Sequence, residues 1–246
     1  MSATLDKTNL VMICGEAIAG KTASLRNIKK PEGVMYLNCE SGKRPPFKNL
    51  FWKGGIIITD PYQIYEGFTA AEKRDDIHTI IIDSTTFLMD MYYSVHVVTS
   101  SDTMAAWGEY GEYFRNLMQQ YVALSTKTVI FTAHVERMLN EQSMQMEKRI
   151  PIKGALAKNG IEAFFSTIVT ARTMPMDTLK DYANPLLVIT PDDKILGFKH
   201  VFQTRLTKET IGERGMRAPI NMWSIPETFI DNDCQILTDR LNKFYN

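Results

Sequence analysis

The chain of 246 residues is 44% hydrophobic and 23% charged, and its 28 basic and 28 acidic residues leave a formal net charge of +0 at pH 7. This length allows a full hydrophobic core, and the balanced charge provides no whole-molecule field to attract a polyanion. Because no apolar run reaches the roughly 18 residues that span a bilayer, we expect a soluble, cytoplasmic protein. Three scattered cysteines, Cys14, Cys39 and Cys234, argue against a disulfide framework and a zinc site.

Short β-branched runs alternate with helical stretches along the first half of the chain, which is typical of a parallel sheet covered by helices. The predicted strands span residues 9–14, 34–39, 55–59, 79–83 and 128–133. Apolar residues at helical spacing predict helices over residues 21–28, 62–71, 87–98 and 104–124. This order of elements predicts an α/β fold with a mostly parallel central sheet flanked by helices.

The character of the sequence changes after Ala133. Residues 134–153 are polar and show no sustained period, which predicts a long loop, and the Gly- and Arg-rich residues 212–219 predict a second, mobile loop. Further strands are predicted over 167–171, 186–190 and 199–204, and a closing amphipathic helix over 233–244. Without a repeat or a linker, we expect one nucleotide-binding domain over 1–246, with a core at about 8–210 and a C-terminal extension at about 211–246.

Residues 15–22, with the sequence GEAIAGKT, match the phosphate-loop pattern G-x-x-x-x-G-K-[ST] between a predicted strand and a predicted helix. The glycines let the backbone curl around phosphates, and the helix that follows directs its positive dipole end at them. Lys21 is predicted to reach the β- and γ-phosphates, and the Thr22 hydroxyl to ligate Mg²⁺. The predicted contacts to ATP are Gly15, Ala19, Gly20, Lys21, Thr22 and Ala23. A chance glycine-rich turn is the alternative.

Two acidic residues follow apolar strands of the predicted sheet. Asp83 stands where a phosphate-loop protein needs the acid on the magnesium side, although an Asp at a helix N-cap is the alternative. Ser84 follows it, so the hydrolytic base is not adjacent in sequence. Glu40 ends the second predicted strand at the carboxyl edge, where ligands of such folds bind, and is predicted to orient the attacking water as a general base. A solvated loop acid is the alternative for Glu40.

The phosphate loop, Glu40 at the end of the next strand and Asp83 together resemble the RecA-like ATPases. More narrowly, they resemble the phage-encoded RecA-like single-strand annealing and recombination ATPases. In that group the strand before the polar loop ends in Thr-Ala-His, as residues 132–134 do here. The resemblance covers residues 9–210 and implies a RecA-like P-loop core with extra C-terminal strands. It implies that His134 senses the γ-phosphate and that Arg205, or else Lys208, reaches a neighbouring subunit's nucleotide. From the residues alone, a histidine bonded to a carbonyl and solvated surface cations are the alternatives. Glu16, an acid inside the phosphate loop, departs from the pattern.

The resemblance also implies partners: a homo-oligomeric ring or filament, single-stranded DNA, and a single-strand-binding protein as a further candidate. The expected DNA contacts lie in loops near 100–111 and 134–159. The second segment carries Arg137, Lys148, Arg149, Lys153 and Lys158, a local basic excess that favours phosphates. In the first, Trp107 and Tyr110 are either base-stacking residues or ordinary core.

Three hypotheses of function remain at this stage. The leading one is an ATP- and Mg²⁺-dependent protein that acts on single-stranded DNA in phage recombination, annealing or replication, in the host cytoplasm. The second is a P-loop nucleotide or small-molecule kinase, in which Arg214 and Arg217 would close a lid over phosphates. The third is a nucleotide-binding regulator with little turnover.

Overall fold

A central sheet of eight strands organises the chain in the computed structural model, which describes residues 10–140 and 144–245. The described residues contain ten strands, of which eight form this sheet and two, β6 and β7, form a separate hairpin. In chain order they are β1 (Leu10–Gly15), β2 (Val34–Asn38), β3 (Ile56–Ile57), β4 (Thr79–Asp83), β5 (Thr128–His134), β6 (Glu136–Asn140), β7 (Gln145–Arg149), β8 (Thr167–Pro175), β9 (Phe198–Gln203) and β10 (Phe229–Asp231). Asn9, the first residue of the strand predicted over 9–14, lies outside the described residues.

The central sheet has the order β10-β9-β8-β1-β5-β4-β2-β3. The six neighbouring strands β3, β2, β4, β5, β1 and β8 are parallel to one another. At the β8 edge, β9 pairs antiparallel with β8, and β10 pairs antiparallel with β9. The predicted α/β class, with a mostly parallel sheet and extra C-terminal strands, is confirmed. β5 lies between β1 and β4, and its register with β1 places His134 beside Gly15. The carboxyl ends of β1, β2, β4 and β5 therefore meet at one edge, where ligands bind in open α/β sheets.

Seven α-helices are present among the described residues. They are α1 (Gln63–Glu72), α2 (Thr85–Tyr92), α3 (Thr103–Asn116), α4 (Leu156–Asn159), α5 (Met176–Leu179), α6 (Pro191–Leu196) and α7 (Cys234–Tyr245). The helix predicted over 21–28 is a 3₁₀ helix, Thr22–Asn27, and π-helical turns at Tyr93–Val97 and Leu117–Val122 extend α2 and α3. None of the described helices is long and apolar enough to cross a membrane.

Two hydrophobic clusters cover the two faces of the sheet, because successive residues of a strand point to opposite sides. Met12 packs with residues of α1, α2 and α3, whereas its neighbours Val11 and Ile13 pack with residues of α7. Cys14, Cys39 and Cys234 are free and buried. Burial of both faces explains why the strands are continuous apolar runs, and it leaves the polar residues at the strand ends for the site.

Three sequence predictions are wrong. The predicted loop at 134–153 contains an antiparallel hairpin of β6 and β7, in which Glu136 lies opposite Arg149 and Arg137 opposite Lys148. No strand forms over 186–190: the Asp231 amide of β10 donates to the Leu186 carbonyl, but the Val188 amide donates to the Asp231 side chain and not to the backbone of β10. The DNA-binding loop expected near 100–111 is mostly helical, since α3 begins at Thr103 with Asp102 as its N-cap.

The segment 212–219 is a loop, as predicted, and backbone contacts attach it to the fold. Lys148 of β7 forms an isolated bridge with Glu213, and Ile168 of β8 forms one with Arg217. The Thr170 hydroxyl donates to the carbonyl of Gly215. The loop therefore connects the hairpin to the central sheet.

Candidate nucleotide site

The phosphate loop leaves β1 at Gly15 and enters the 3₁₀ helix at Thr22. Ile18 and Gly20 have positive φ angles of 68° and 95°, so the loop curls in a conformation that favours glycine at residue 20. A side chain at residue 20 would also meet the amide of Asn232, 3.1 Å from the ideal Cβ position. The curled backbone is what a phosphate-binding loop requires.

The Lys21 side chain is folded into this loop and only 6% of the residue is exposed. Its Nζ donates to the carbonyl oxygens of Gly15 and Glu16, at 3.1 and 2.9 Å, and lies 3.3 Å from His134 Nδ1. Burial lowers the pKa of Lys21. The ammonium thus lies where phosphate oxygens would replace its carbonyl partners.

Asp83 ends β4 and is 1% exposed. One carboxylate oxygen accepts hydrogen bonds from Thr22 Oγ1 at 2.9 Å and from the Tyr36 hydroxyl at 2.7 Å, and the other accepts from Thr132. Ser84, not Asp83, is the N-cap of α2. Asp83 is therefore buried beside the phosphate loop and does not cap the helix.

The Thr22 and Asp83 oxygens are a donor set that fits Mg²⁺, an ion that prefers one or two protein oxygens together with phosphate oxygens and water. Among the described residues, no cluster of three or more His, Cys, Asp or Glu side chains offers an all-protein metal cage. The pair is therefore suited to a metal that arrives with a nucleotide.

Glu40 lies just beyond β2 and its side chain is only 9% exposed, so it is not a solvated loop acid. Its carboxylate lies 3.4 Å from His134 Nε2 and 3.3 Å from Lys43 Nζ. The hydrogen bond with His134, together with Lys43, lowers the pKa of Glu40 to about 2. Because an ammonium only donates and a carboxylate only accepts, His134 between Lys21 and Glu40 must carry its proton on Nε2.

The wall of the site contains residues that the sequence analysis did not identify. The cavity of about 640 Å³ is lined by predicted residues and also by Arg26, Tyr36, Lys43 and Arg44. The cations follow the phosphate loop and Glu40 closely in sequence, so proximity to the motif is the signal that points to them. Ala19, in contrast, turns its side chain into the hydrophobic core.

Tyr36→Phe tests whether the hydroxyl that holds Asp83 matters to the site. The phenylalanine ring keeps the packing, but Asp83 loses one of its donors, and loss of such an outer partner typically weakens metal affinity by about 10- to 100-fold. We expect the Mg²⁺ concentration for half-maximal nucleotide binding to rise by about 10-fold. Tyr65→Phe, which removes a hydroxyl that donates to the Tyr113 carbonyl outside the cavity lining, is the control and should leave the Mg²⁺ requirement unchanged. An unchanged Mg²⁺ requirement in Tyr36→Phe would contradict this role.

Glu16, the unexpected acid of the phosphate loop, is neutralised by the hairpin. Its carboxylate lies 2.9 Å from Lys148 Nζ and 3.8 Å from Arg137 Nε. The hydrogen bond with Lys148 lowers the pKa of Glu16, and Glu213 in turn pairs with Lys148 and Arg172. The charge inside the loop is therefore balanced by cations on β6, β7 and β8.

Arg205 and Lys208 do not line the cavity. Arg205 is exposed and its Nη1 donates to the Trp223 carbonyl at 2.6 Å, and Lys208 pairs with its neighbour Glu209 at 3.6 Å. Two arginines considered for a kinase lid also bond elsewhere, Arg214 with Glu147 and Arg217 with backbone carbonyls. These four cations are therefore not part of the candidate phosphate site in the part of the chain that the structure describes.

The aromatic residues considered for base stacking belong to the core. Of the two alternatives left open by the sequence, Tyr110 fits the core one, since it is 1% exposed, and the partly buried Trp107 packs 5.4 Å from the Tyr93 ring. Lys153 lies 3.7 Å above the same Tyr93 ring and 2.8 Å from Asp90. Two cations of the 134–159 segment contact phosphate-loop Glu16, as described above. Arg149 donates to Met138 Sδ, and Lys158 is exposed.

Comparison with known proteins places this site in a family. A family model described as "AAA domain" matches residues 7–209, a range that includes the phosphate loop, Glu40, Asp83 and His134. No curated protein matches the chain. The match covers most of the 246 residues and agrees with a parallel sheet whose strand ends surround a phosphate loop. The chain therefore belongs to the AAA domain family of P-loop nucleotide-binding proteins.

Proposed function

We propose that this protein binds ATP with Mg²⁺, hydrolyses it, and acts on single-stranded DNA in phage recombination, annealing or replication. The observation that supports the ATPase part is the convergence of four strand ends on one cavity. The ends of β1, β2, β4 and β5 bring Lys21, Glu40, Asp83 and His134 to its wall, although up to 113 positions separate them in sequence. Such an arrangement suits phosphoryl transfer to water, in which catalysis depends on positioning and charge.

Each residue has a task in this proposal. Lys21 donates to the β- and γ-phosphates, and Thr22 and Asp83 hold Mg²⁺. When bound, the ion supplies positive charge that neutralises phosphate oxygens. Tyr36 and Thr132 hold Asp83 by hydrogen bonds. Glu40 orients the attacking water and accepts its proton.

His134 connects the phosphate end of the site with Glu40. A carboxylate with a pKa of about 2 is a weak base at neutral pH, because a general base works best with a pKa near the operating pH. If His134 turns to the γ-phosphate, Glu40 loses the hydrogen bond that contributes most to its low pKa. We infer that the triphosphate itself makes Glu40 a stronger base, which ties hydrolysis to correct binding.

Oligomer formation is proposed on the placement of Arg205. The residue is exposed and lies outside the cavity of its own chain, so its remaining donors are free to reach a nucleotide on a neighbouring subunit. Ile18, at the tip of the phosphate loop, is 92% exposed and apolar, which suits a surface that a partner covers. A ring or filament of this kind would place one nucleotide at each subunit boundary.

Binding of single-stranded DNA is proposed for the segment 134–159, where the hairpin presents cations. Phosphate contacts dominate the affinity of such sites and make it depend on salt. Arg149 and Lys153 are the two cations proposed to contact DNA, since Arg137 and Lys148 pair with Glu16 of the phosphate loop, whereas the Asp90 partner of Lys153 is at the surface. DNA phosphates would replace Asp90 as the partner of Lys153.

Replacing Arg149 and Lys153 together with alanine should weaken binding of a labelled single-stranded oligonucleotide in fluorescence anisotropy. If each cation neutralises one phosphate, the slope of log affinity against log salt should flatten by about 1.4. The control replaces Lys29 and Lys180, two exposed lysines that also form ion pairs, and should leave the slope unchanged. The same affinity and slope in the Arg149 and Lys153 variant would move the DNA site elsewhere.

A nucleotide-binding regulator with little turnover is the second candidate. The low pKa of Glu40 favours it, because a Glu40 that stays bonded to His134 remains a poor proton acceptor. Such a protein would bind ATP tightly and hydrolyse it slowly with or without DNA.

A further inference from the structure

The cavity at the phosphate loop extends past the residues that a triphosphate needs. A second part of its lining, which we call the β9–β10 side, consists of Lys199, His200, Asp231 and Asn232 together with Asp193 of α6. The whole cavity, at about 640 Å³, falls within the range of about 300 to 1,000 Å³ that is usual for small-molecule sites. The cavity thus has room for a further chemical group attached to the phosphates, and the β9–β10 side would contact that group.

Charge distinguishes the two sides of this cavity. Lys21, Lys43 and Arg44 lie on the side of the phosphate loop and Glu40. On the β9–β10 side, one ammonium, Lys199 Nζ, lies between two carboxylates, 3.0 Å from Asp193 and 3.3 Å from Asp231. The resulting negative charge disfavours phosphate, whereas carboxylate oxygens accept hydrogen bonds from hydroxyl and amino groups. The β9–β10 side therefore suits the uncharged part of a nucleotide.

Asn232 is the strongest indication of a ligand on this side. It is only 4% exposed, and neither its amide nitrogen nor its amide oxygen has a hydrogen-bond partner among the described residues. Buried polar groups are nearly always paired, so two unpaired atoms on one side chain need an explanation. Asn232 lines the cavity, so a small turn of its side chain would present this donor and acceptor to a ligand.

The backbone holds Asn232 firmly against the phosphate loop. Arg26, in the 3₁₀ helix that follows the loop, donates to the Asn232 carbonyl at 2.9 Å. Asn27 in the same helix donates to Asp233 at 2.7 Å. The amide itself lies next to Gly20. Asn232 is therefore fixed at the border between the phosphate side and the β9–β10 side.

We propose that Asn232 and Asp231 recognise the nucleoside of the bound triphosphate, and that the base is adenine. The Asn232 amide offers one donor group and one acceptor, which matches the adjacent acceptor and donor on the edge of adenine. Asp231 offers only acceptor oxygens and accepts from a ribose hydroxyl. This assignment rests on the proposed function, because it requires triphosphate at the loop 15–22.

The test compares two ligands, ATP and inorganic tripolyphosphate, by calorimetry with Mg²⁺. Wild-type protein should bind ATP more tightly, since only ATP has a nucleoside. Asn232→Leu should weaken the binding of ATP by about 10- to 100-fold, the loss expected for one or two hydrogen bonds. The affinity for tripolyphosphate should stay unchanged. Its melting temperature without ligand should stay the same or rise, because leucine has a similar shape and removes two unpaired atoms.

Two further variants complete the test. Asn116→Leu, at the end of α3 and outside the cavity lining, should bind both ligands as the wild type does. Asn232→Asp keeps the side-chain shape but offers only acceptors, so it should bind ATP less well relative to GTP, whose guanine edge has two adjacent donor groups. The ratio of ATP affinity to GTP affinity in Asn232→Asp tests the proposal even if the leucine variant does not fold.

Several outcomes would overturn the proposal. Equal ATP affinity in Asn232→Leu and wild type would remove Asn232 from the nucleoside site. A parallel loss of ATP and tripolyphosphate would show that Asn232 only supports the loop. Wild-type binding of both ligands with equal affinity would leave the phosphate site in place but exclude a nucleoside site, whereas binding of neither would contradict the proposed function itself.

Discussion

Replacing Lys21 with alanine should weaken ATP binding by about 100- to 10,000-fold, because two hydrogen bonds from an ammonium to phosphate are lost, each with about 1.5 to 3 kcal/mol. The Lys21 ammonium is already inside the loop, 2.9 Å from the Glu16 carbonyl, so wild-type protein needs little rearrangement to present it. Calorimetry with ATP and Mg²⁺ measures the loss directly.

A matched control separates the charge of Lys21 from a general effect of removing a lysine. Lys29→Ala removes a cation whose side chain is 69% exposed and pairs with Asp239, so it should bind ATP as tightly as wild type. Melting temperatures of both variants show whether the loop has kept its fold. Unchanged ATP affinity in a folded Lys21→Ala protein would refute the assignment of the loop 15–22 as the phosphate site.

Replacing Glu40 with glutamine should leave ATP binding intact and lower the rate of hydrolysis by about 100- to 10,000-fold, the range typical of a general acid or base. Glutamine has nearly the same shape and its carbonyl oxygen still accepts a hydrogen bond from His134 Nε2, but it cannot accept a proton from water. The measurements are ATP affinity and steady-state phosphate release in the same preparation.

Glu32→Gln is the control for this substitution. Glu32 is exposed and precedes β2, whereas Glu40 lies just after the opposite end of the same strand, so the two variants make the same chemical change at the two ends of one element. Phosphate release should be normal in Glu32→Gln. Normal release in Glu40→Gln as well would assign Glu40 a structural role in holding His134 and Lys43.

The main strands were predictable because burial on both faces demands apolar, β-branched runs. The run Thr79–Asp83 has every residue buried, and its closing carboxylate stands out against the three isoleucines before it, which offer no metal ligand. The phosphate loop was predictable for a related reason, since its glycines and Lys21 occupy fixed spacings between strand and helix. Local patterns of this kind need no knowledge of the tertiary fold.

The hairpin of β6 and β7 was missed because its strands do not alternate between apolar and polar residues. Glu136 lies opposite Arg149, Arg137 opposite Lys148 and Met138 opposite Glu147, so polar and charged residues occupy both strands and no apolar face repeats along them. Cross-strand pairs of opposite charge stabilise a hairpin, but they appear in a sequence only as a polar stretch. The short strand β10 was missed because three residues are too few to show a period.

Long-range partners were beyond sequence analysis. Tyr36 reads as an ordinary residue of an apolar strand, and only the fold brings its hydroxyl to Asp83, 47 positions away. Asn232 stands between two aspartates near the C-terminus and has no motif around it, yet it contacts the phosphate loop at Gly20. The apparent conflict of Glu16 with phosphate binding was likewise resolved by the fold, through Lys148 and Arg137.

ATP hydrolysis by the purified protein with Mg²⁺, measured with and without single-stranded DNA, tests the account most directly. We predict hydrolysis that requires Mg²⁺, is lost in Lys21→Ala and Glu40→Gln, and increases when single-stranded DNA is added. Hydrolysis that does not respond to DNA would contradict the DNA-dependent part of the account. Absence of hydrolysis under both conditions, in a protein that binds ATP, would contradict the assignment of Glu40 and support a nucleotide-binding regulator.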